Sequence, residues 1–487
     1  MRRAIGVSAS QIGLILGPAL AVFMVLLGAP DGLTDEAWRV AALLVLMAVW
    51  WGTEAIPIPA TSLLPLVAIP LIGAGTAKEA AAGYSSTTVM LLLGGFIVAM
   101  GVERWNLHSR IALNIVVRAG DHMRLIIAGF MIATAIISAW ISNTATTIMM
   151  VPIAISVAME TGESSGRFEK ALLLGIAYSA SIGGVATPIG TPTNLIAIDW
   201  LRTNTGDDIG FLTWMVFGVP AALLLVPLAW FVVTRGLPRH FASHAAGQSG
   251  GAQSEIRAHL NALGKVSAPE ARVAMVFGLV AALWVFRVPM QESLAHLPGL
   301  GWLTNLTDMG IAVLGAVLMF LVPAGGGEKR ALLKWEDAEK LPWGVLLLFG
   351  GGISLGNAVK STGLSAWLGE LLTSLEGAPI LVLILVVVAL VVYLTEVTSN
   401  VATMTTLAPV LGAFALGVGV PPEVFLGPAA VAASCAFMLP VATAPNAIVY
   451  GSNHIAMSDM IRAGFWINIG SVLVIAWIGY VLTPYVF

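Results

Sequence analysis

The sequence predicts an all-α polytopic membrane protein: two inverted repeats with about 11 transmembrane helices and two re-entrant hairpins. Three observations lead there. Hydrophobic residues fill 58% of the 487 positions and charged residues only 10%, against roughly 25% charged in a soluble domain. Apolar runs near the ~20 residues that cross a bilayer recur from one end of the chain to the other. The polar stretch SNTATTIMMVP at 142–152 returns as SNVATMTTLAP at 399–409, each time inside strongly apolar sequence. A net charge of -3 gives no reason to expect a nucleic-acid partner, and the single cysteine, Cys435, excludes an intramolecular disulfide.

Residues 1–35 form the N-terminal helix unit. Met1-Arg2-Arg3 precedes an apolar stretch reaching Gly28. That stretch is longer than the ~7–15 residues of a signal-peptide core, so it reads as a first span at 11–28. Spans follow at 36–53, 57–74, 86–117, 168–200 and 210–235 in the first repeat (36–235). The second repeat (271–487) supplies 271–287, 305–323, 343–372, 425–452 and 462–485. Segments 122–160 and 378–418 carry the repeated motif at their middles. As re-entrant hairpins they return to the face they entered, and the basic residues then sort by side. Arg118, Arg124, Arg167, Lys170, Arg235, Arg272, Lys329, Arg330, Lys334 and Arg462 fall on the cytoplasmic face together with the N-terminus, while the other face keeps Arg39, Lys78, Arg202 and Arg287. The C-terminus is then extracytoplasmic, in a multi-pass protein of the cell membrane surrounded by lipid. Residues 236–270, polar and containing His240, His244 and His259, read as a solvated cytoplasmic linker.

The repeats match beyond the opening motif: LLLGGFIVAMG at 91–101 echoes LLLFGGGISLG at 346–356, and GTPTN at 190–194 echoes ATAPN at 442–446. The glycines at 94–95 and 350–352 suit close helix packing. Pro188, Gly190 and Pro192, like Pro440 and Pro445, should break the helices of 168–200 and 425–452, because proline removes a donor and clashes with the preceding turn. Backbone opened at membrane depth is tolerated only where protein or a water-filled cavity satisfies it. Four polar interruptions therefore point to one shared site, of the kind secondary transporters place where inverted repeats meet. Hydroxyls and helix N-termini suit an anion, carbonyl and Asn oxygens a hard cation. None of the four motifs contains Lys or Arg, so coupled cations are the simplest neutraliser of a bound dianion. Glu396, beside the second motif, reads as an acceptor of structural hydrogen bonds near the hairpin tip, and Glu54 as a helix-terminus residue. Small polar residues also serve helix packing in membranes, but two matched copies, each followed by a broken helix, favour a site. Gly162-Glu163-Ser164-Ser165-Gly166 fits a nucleophile pattern only outside its strand-turn-helix context. HExxH, GK[ST] and CxxC are absent from the sequence, and no enzyme activity is expected.

SAWISNTATTIMMVPI, ATPIGTPTNLIA, KLPWGVLLLFGGG, TEVTSNVATMTTLAPV and LPVATAPNAIVYGS resemble the divalent anion:sodium symporter family, carriers of dicarboxylates, citrate or sulfate. The likeness runs from WGTEAIP at 51–57 to the last span. It implies a homodimer whose protomers each pair a scaffold domain with an elevator-like transport domain, made of the two hairpins and two broken helices. It implies Na+ as coupling ion, at a first site of Ser138, Asn143 and Gly190 and a second of Thr395, Thr398, Asn400 and Ala442. It places the anionic small-molecule substrate against Ser142, Asn143, Thr144, Thr191, Ser399, Asn400, Val401 and Thr443. Val401 stands where the SNT form of the motif has threonine, which removes one hydroxyl. The expectation is sodium-coupled import of C4-dicarboxylates such as succinate, malate or fumarate; sodium-independent exchange, and citrate or sulfate symport, are the family's alternatives.

Overall fold

A computed structural model describes residues 9–120, 122–161, 163, 165–206, 209–238, 251–294, 301–371 and 377–487. Met1-Arg2-Arg3, Gly162, Ser164, His240, His244 and His296 lie outside the described residues. The chain is nearly all helical. It opens with α1 (Ala9–Leu27) and α2 (Asp35–Thr53), which pack together. Thr34 caps α2 by accepting from the amide of Ala37 at 3.2 Å, and Asp35 and Glu36 complement the N-terminal dipole. Glu54 ends the helix in the left-handed conformation, φ 48°, which makes it the terminus residue the sequence suggests.

Several expected spans are cut by their own punctuation. Segment 57–74, rich in proline, becomes α3 (Ile58–Thr61) and α4 (Leu64–Leu71). After α5 (Ala77–Ala82), segment 86–117 becomes α6 (Thr87–Arg104) and α7 (Leu107–Val116), parted where Asn106 takes φ 54°. Then come α8 (Met123–Ser138), α9 (Asn143–Glu160), α10 (Arg167–Gly184), α11 (Pro192–Asn204) and α12 (Phe211–Thr234). Part of the expected linker is helical: α13 (Gly251–Ala262) buries Ala252 and Ile256, one turn apart, against α9 and α7. Its Glu255 accepts from the hydroxyl of Ser156 at 2.5 Å. An amphipathic face too short to stand out among polar residues explains why composition alone reads as solvated.

After α14 (Ala268–Leu294) and α15 (Asp308–Leu321), strands β1 (Pro323–Gly325) and β2 (Glu328–Ala331) pair antiparallel, a small departure from the all-α expectation. Gly325, Gly326 and Gly327 all have positive φ, which lets the chain reverse there. The rest is α16 (Trp335–Ala338), α17 (Trp343–Ser361), α18 (Leu364–Leu371), α19 (Ile380–Leu394), α20 (Asn400–Gly417), α21 (Glu423–Ala433), α22 (Ala444–Gly451) and α23 (Met457–Val486). Among the described residues, 7 helices are long and apolar enough to cross a membrane, and further apolar helices of 10–17 residues accompany them.

Two helices sit at the centre. Almost every residue of α10 is buried, and every residue of α21. Around α10 pack α8, α9, α12 and α22; around α21 pack α19, α20, α23 and α11. Elsewhere α6 lies closely on α15, where a Cβ on Gly94 would meet the Ala312 backbone at 2.6 Å, and a Cβ on Gly351 of α17 would run into the Ser62 carbonyl. The repeated glycines are thus packing residues.

Candidate functional site

Two short turns hold the repeated motif. Ala139–Ser142 joins α8 to α9, and Thr395–Ser399 joins α19 to α20. Ser142 and Ser399 are N-cap residues with non-helical backbone, ψ 131° and 135°, at a position serine favours. Neither side chain caps its helix. Both hydroxyls are left to other partners.

Behind each N-cap lies an oxygen cluster. Ser138 Oγ is 2.5 Å from Asn143 Oδ1 and 2.7 Å from the carbonyl of Ala180. A hydroxyl has one proton to give, so it cannot donate to both acceptors. Thr395 Oγ1 repeats the arrangement, 2.8 Å from Asn400 Oδ1 and 3.0 Å from the carbonyl of Ala433. Each cluster is therefore short of protons and rich in lone pairs. Gly190 joins the first: a Cβ there would lie 2.5 Å from the Gly184 carbonyl and 2.8 Å from that of Ala139, while one on Gly184 would lie 2.7 Å from Asn143 Oδ1 and 3.0 Å from the Gly190 carbonyl. Only glycines leave those oxygens together.

The breaks between α10 and α11, and between α21 and α22, are held alike. Asn194 Nδ2 donates to the carbonyls of Gly184 (3.0 Å) and Thr187 (2.7 Å); Asn446 Nδ2 donates to those of Ala436 (3.0 Å) and Leu439 (3.0 Å). In both cases the asparagine reaches back ten and seven residues. Its Oδ1 is buried with no hydrogen-bond partner in either repeat. A buried acceptor without a donor is costly, and two at matched positions suit a region that receives a cation. Thr193 Oγ1 meets Ser434 Oγ at 2.9 Å, linking the broken regions of the two repeats.

The remaining expected residues divide. Thr443 Oγ1 accepts from the amide of Asn446 at 3.2 Å, so one lone pair already serves α22. Thr191 is buried, its hydroxyl 3.5 Å from that of Thr193. Thr144 and Val401 are half-buried on the first turns of α9 and α20. Thr398 does not join Thr395 and Asn400: its hydroxyl lies 2.9 Å from the Leu394 carbonyl and 2.5 Å from Thr403 Oγ1. Ala442 is tied through its amide to the Leu439 carbonyl at 3.2 Å.

Glu396 carries the structural role its position suggests. Its buried carboxylate accepts from the amides of Phe437 (2.7 Å), Met438 (2.9 Å) and Leu439 (3.1 Å), and from Asn468 Nδ2 (2.6 Å). It pins the break before α22 to the second turn. The matching position in the first repeat is Ala139, whose backbone carbonyl accepts from the Thr187 hydroxyl instead. The Ala180 and Ala433 carbonyls were not singled out from sequence; a carbonyl ligand leaves no side-chain signature. Among the described residues no group of three His, Cys, Asp or Glu could hold a metal. The donors are hydroxyl, amide and carbonyl oxygens, a set that fits a hard cation.

The profile of the sodium:sulfate symporter transmembrane region matches residues 8–487. The chain belongs to that family. Within reach of the same family's description, a sodium-dependent dicarboxylate transporter SdcS of Staphylococcus saprophyticus is 42% identical over 484 residues, spanning 97% of this chain and 91% of the relative. A transporter of the same name from Staphylococcus aureus is 40% identical over 98% of this chain and 92% of the relative. Two solved structures share the fold at 15% identity. Neisseria gonorrhoeae MtrF, described with antimetabolite efflux pumps, has a TM-score of 0.60 and covers 94% of this chain and 97% of its own. The Alcanivorax borkumensis YdaH transporter, reported to have an unusual topology, has a TM-score of 0.59 and covers 98% of each chain.

Proposed function

We propose that this chain is a sodium-coupled carrier, not an enzyme, that imports C4-dicarboxylates such as succinate, malate or fumarate. The single observation that carries the coupling is the pair of proton-poor oxygen clusters, Ser138–Asn143–Ala180 and Thr395–Asn400–Ala433, built alike in both repeats. The similarity to transporters named as sodium-dependent dicarboxylate transporters supports the cargo.

Asn143 and Asn400 would present Oδ1 to a sodium ion while their amide N–H groups, with the uncapped hydroxyls of Ser142 and Ser399, face the carboxylates. Thr144, Thr191 and Thr443 would add hydroxyl donors, and Val401 an apolar wall that makes the pocket lopsided. Gly190 would contribute to the first ion, and Ala442 and Thr398 to the second, Thr398 after leaving Thr403. The turns act as tips of re-entrant hairpins that, with the broken helices, form the moving body of an elevator in a lipid-embedded homodimer. The N-terminus would face the cytoplasm and the C-terminus the other side, with the two repeats inverted. In reconstituted vesicles, labelled succinate uptake should depend on an inward sodium gradient; equal uptake with choline would sink the coupling. Competition by citrate and sulfate, weaker than by malate, checks the cargo.

A further inference from the structure

A cavity of about 230 Å³, lined by none of the oxygen-cluster residues, lies among the start of α6, one face of α11 and the starts of α12 and α15. Its apolar wall is Leu91, Leu195, Ile198 and Phe211, and Pro188 of the first broken region reaches it. Phe211 stacks on Trp140 of the first turn with centroids 5.7 Å apart, so the cavity adjoins the proposed substrate tip. The polar groups that line it are unlike those of the clusters. Arg202 spends one nitrogen, Nη2, on Asp199 Oδ1 (2.7 Å) and on the Thr88 hydroxyl. Its Nε and Nη1 donate to no described residue. Thr307 Oγ1 accepts from the Gly310 amide at 3.1 Å, which leaves its proton to give, and Thr87 is exposed at the rim. Arg287 and Asp308 also line it, paired with each other at 2.7 Å.

We infer that this cavity is a second, sodium-independent binding site for a small carboxylate anion, with Arg202 as its anchor. A guanidinium offers donors only, and with Nη2 taken by Asp199 and Thr88 the Nη1 and Nε N–H groups remain as single charged donors to a carboxylate oxygen, presented without further loss of side-chain freedom. The Asp199 contact holds the guanidinium in place, and the apolar wall accommodates a short carbon chain. The contents differ from the oxygen clusters in kind: guanidinium groups, each braced by a carboxylate, against neutral acceptors there. Only the choice of succinate as probe rests on the dicarboxylate reading; the site itself does not.

Equilibrium binding of labelled succinate to the purified full chain tests it, in sodium and in choline. Wild type should show a weak class in choline that survives in the Asn143→Ala, Asn400→Ala double variant. Arg202→Gln should weaken that class about tenfold or more, Arg202→Lys less. Thr87→Trp, at the rim and outside the Asp199 pair, should block it even if Arg202 variants misfold. Absence of the choline class in wild type, or its persistence at full affinity in both Arg202→Gln and Thr87→Trp, overturns the site. Failure of the sodium-coupled reading would show separately, as uptake indifferent to sodium.

Discussion

Each oxygen cluster turns on one asparagine. Asn143→Ala and Asn400→Ala each remove the Oδ1 that shares the Ser138 or Thr395 hydroxyl. Each should raise the half-saturating sodium concentration by roughly 10–100-fold, with weaker succinate binding at fixed sodium. A sodium titration of uptake checks this, and unchanged values in both variants would dismiss the assignment. Glu396 has a different role. Glu396→Ala leaves three amides and Asn468 without their acceptor in a buried place, and a melting curve in detergent should show a large loss, on the order of 3–5 kcal/mol. Glu396→Gln, which keeps one acceptor oxygen, should lose less. The sequence made the side chains at this scale legible because Ser, Asn and Thr stand out in apolar surroundings. It could not distinguish Thr395 from Thr398: both precede the same motif, and which hydroxyl faces Asn400 depends on how the last turn of α19 unwinds.

Among the elements, helix contacts and helix breaks were legible to different degrees. Proline and glycine announced the break between α10 and α11, whereas the cut between α17 and α18 falls at Gly363, whose φ of +81° only the folded chain reveals. The glycines of α17 give a comparison within one helix. Gly351→Ala drives a Cβ into the Ser62 carbonyl and should cost about 1–3 kcal/mol, while Gly356, with open space around its Cβ, should accept alanine with a gain of up to about 1 kcal/mol. Opposite shifts in melting temperature are the expected reading. Outside the membrane, the β1–β2 ribbon is fastened to α16 by Asp337. Burial alone would raise its carboxyl, but the Lys334 amide, Arg330 at 2.5 Å and Arg104 at 3.1 Å outweigh it and hold the carboxyl below the ordinary carboxylate range. A lowered folded value means the stabilisation is complete above the unfolded carboxylate range and fades as pH falls through the folded one. Asp337→Asn should therefore be less stable than wild type at neutral pH, and the gap should close under acid; a gap that widens on acidification would contradict the sign.

For the molecule as a whole, composition, repeat spacing and motif pairing were enough to read a helical membrane carrier, because burial in lipid and duplication both write themselves into sequence. The docking of α13 was not readable, since two buried residues in twelve carry little periodic signal. Motion between the proposed bodies can be tested where α17 meets α11: Lys360 Nζ donates to the Thr203 carbonyl at 2.6 Å. Cysteines at 360 and 204, joined by a short bifunctional reagent with Cys435 replaced by serine, should abolish uptake while sodium-dependent succinate binding persists. Continued uptake after complete cross-linking would argue against an elevator. The unequal pinning of the two breaks, a carboxylate on the 437–439 amides against a single hydroxyl on the Ala139 carbonyl, bears on timing. A loop already fixed gives up less conformational entropy when an ion arrives. The second-repeat cluster should thus fill first as sodium rises, and the first-repeat break should be the one whose amide hydrogen exchange slows only at the higher concentrations, making the two halves consecutive stages of one loading sequence.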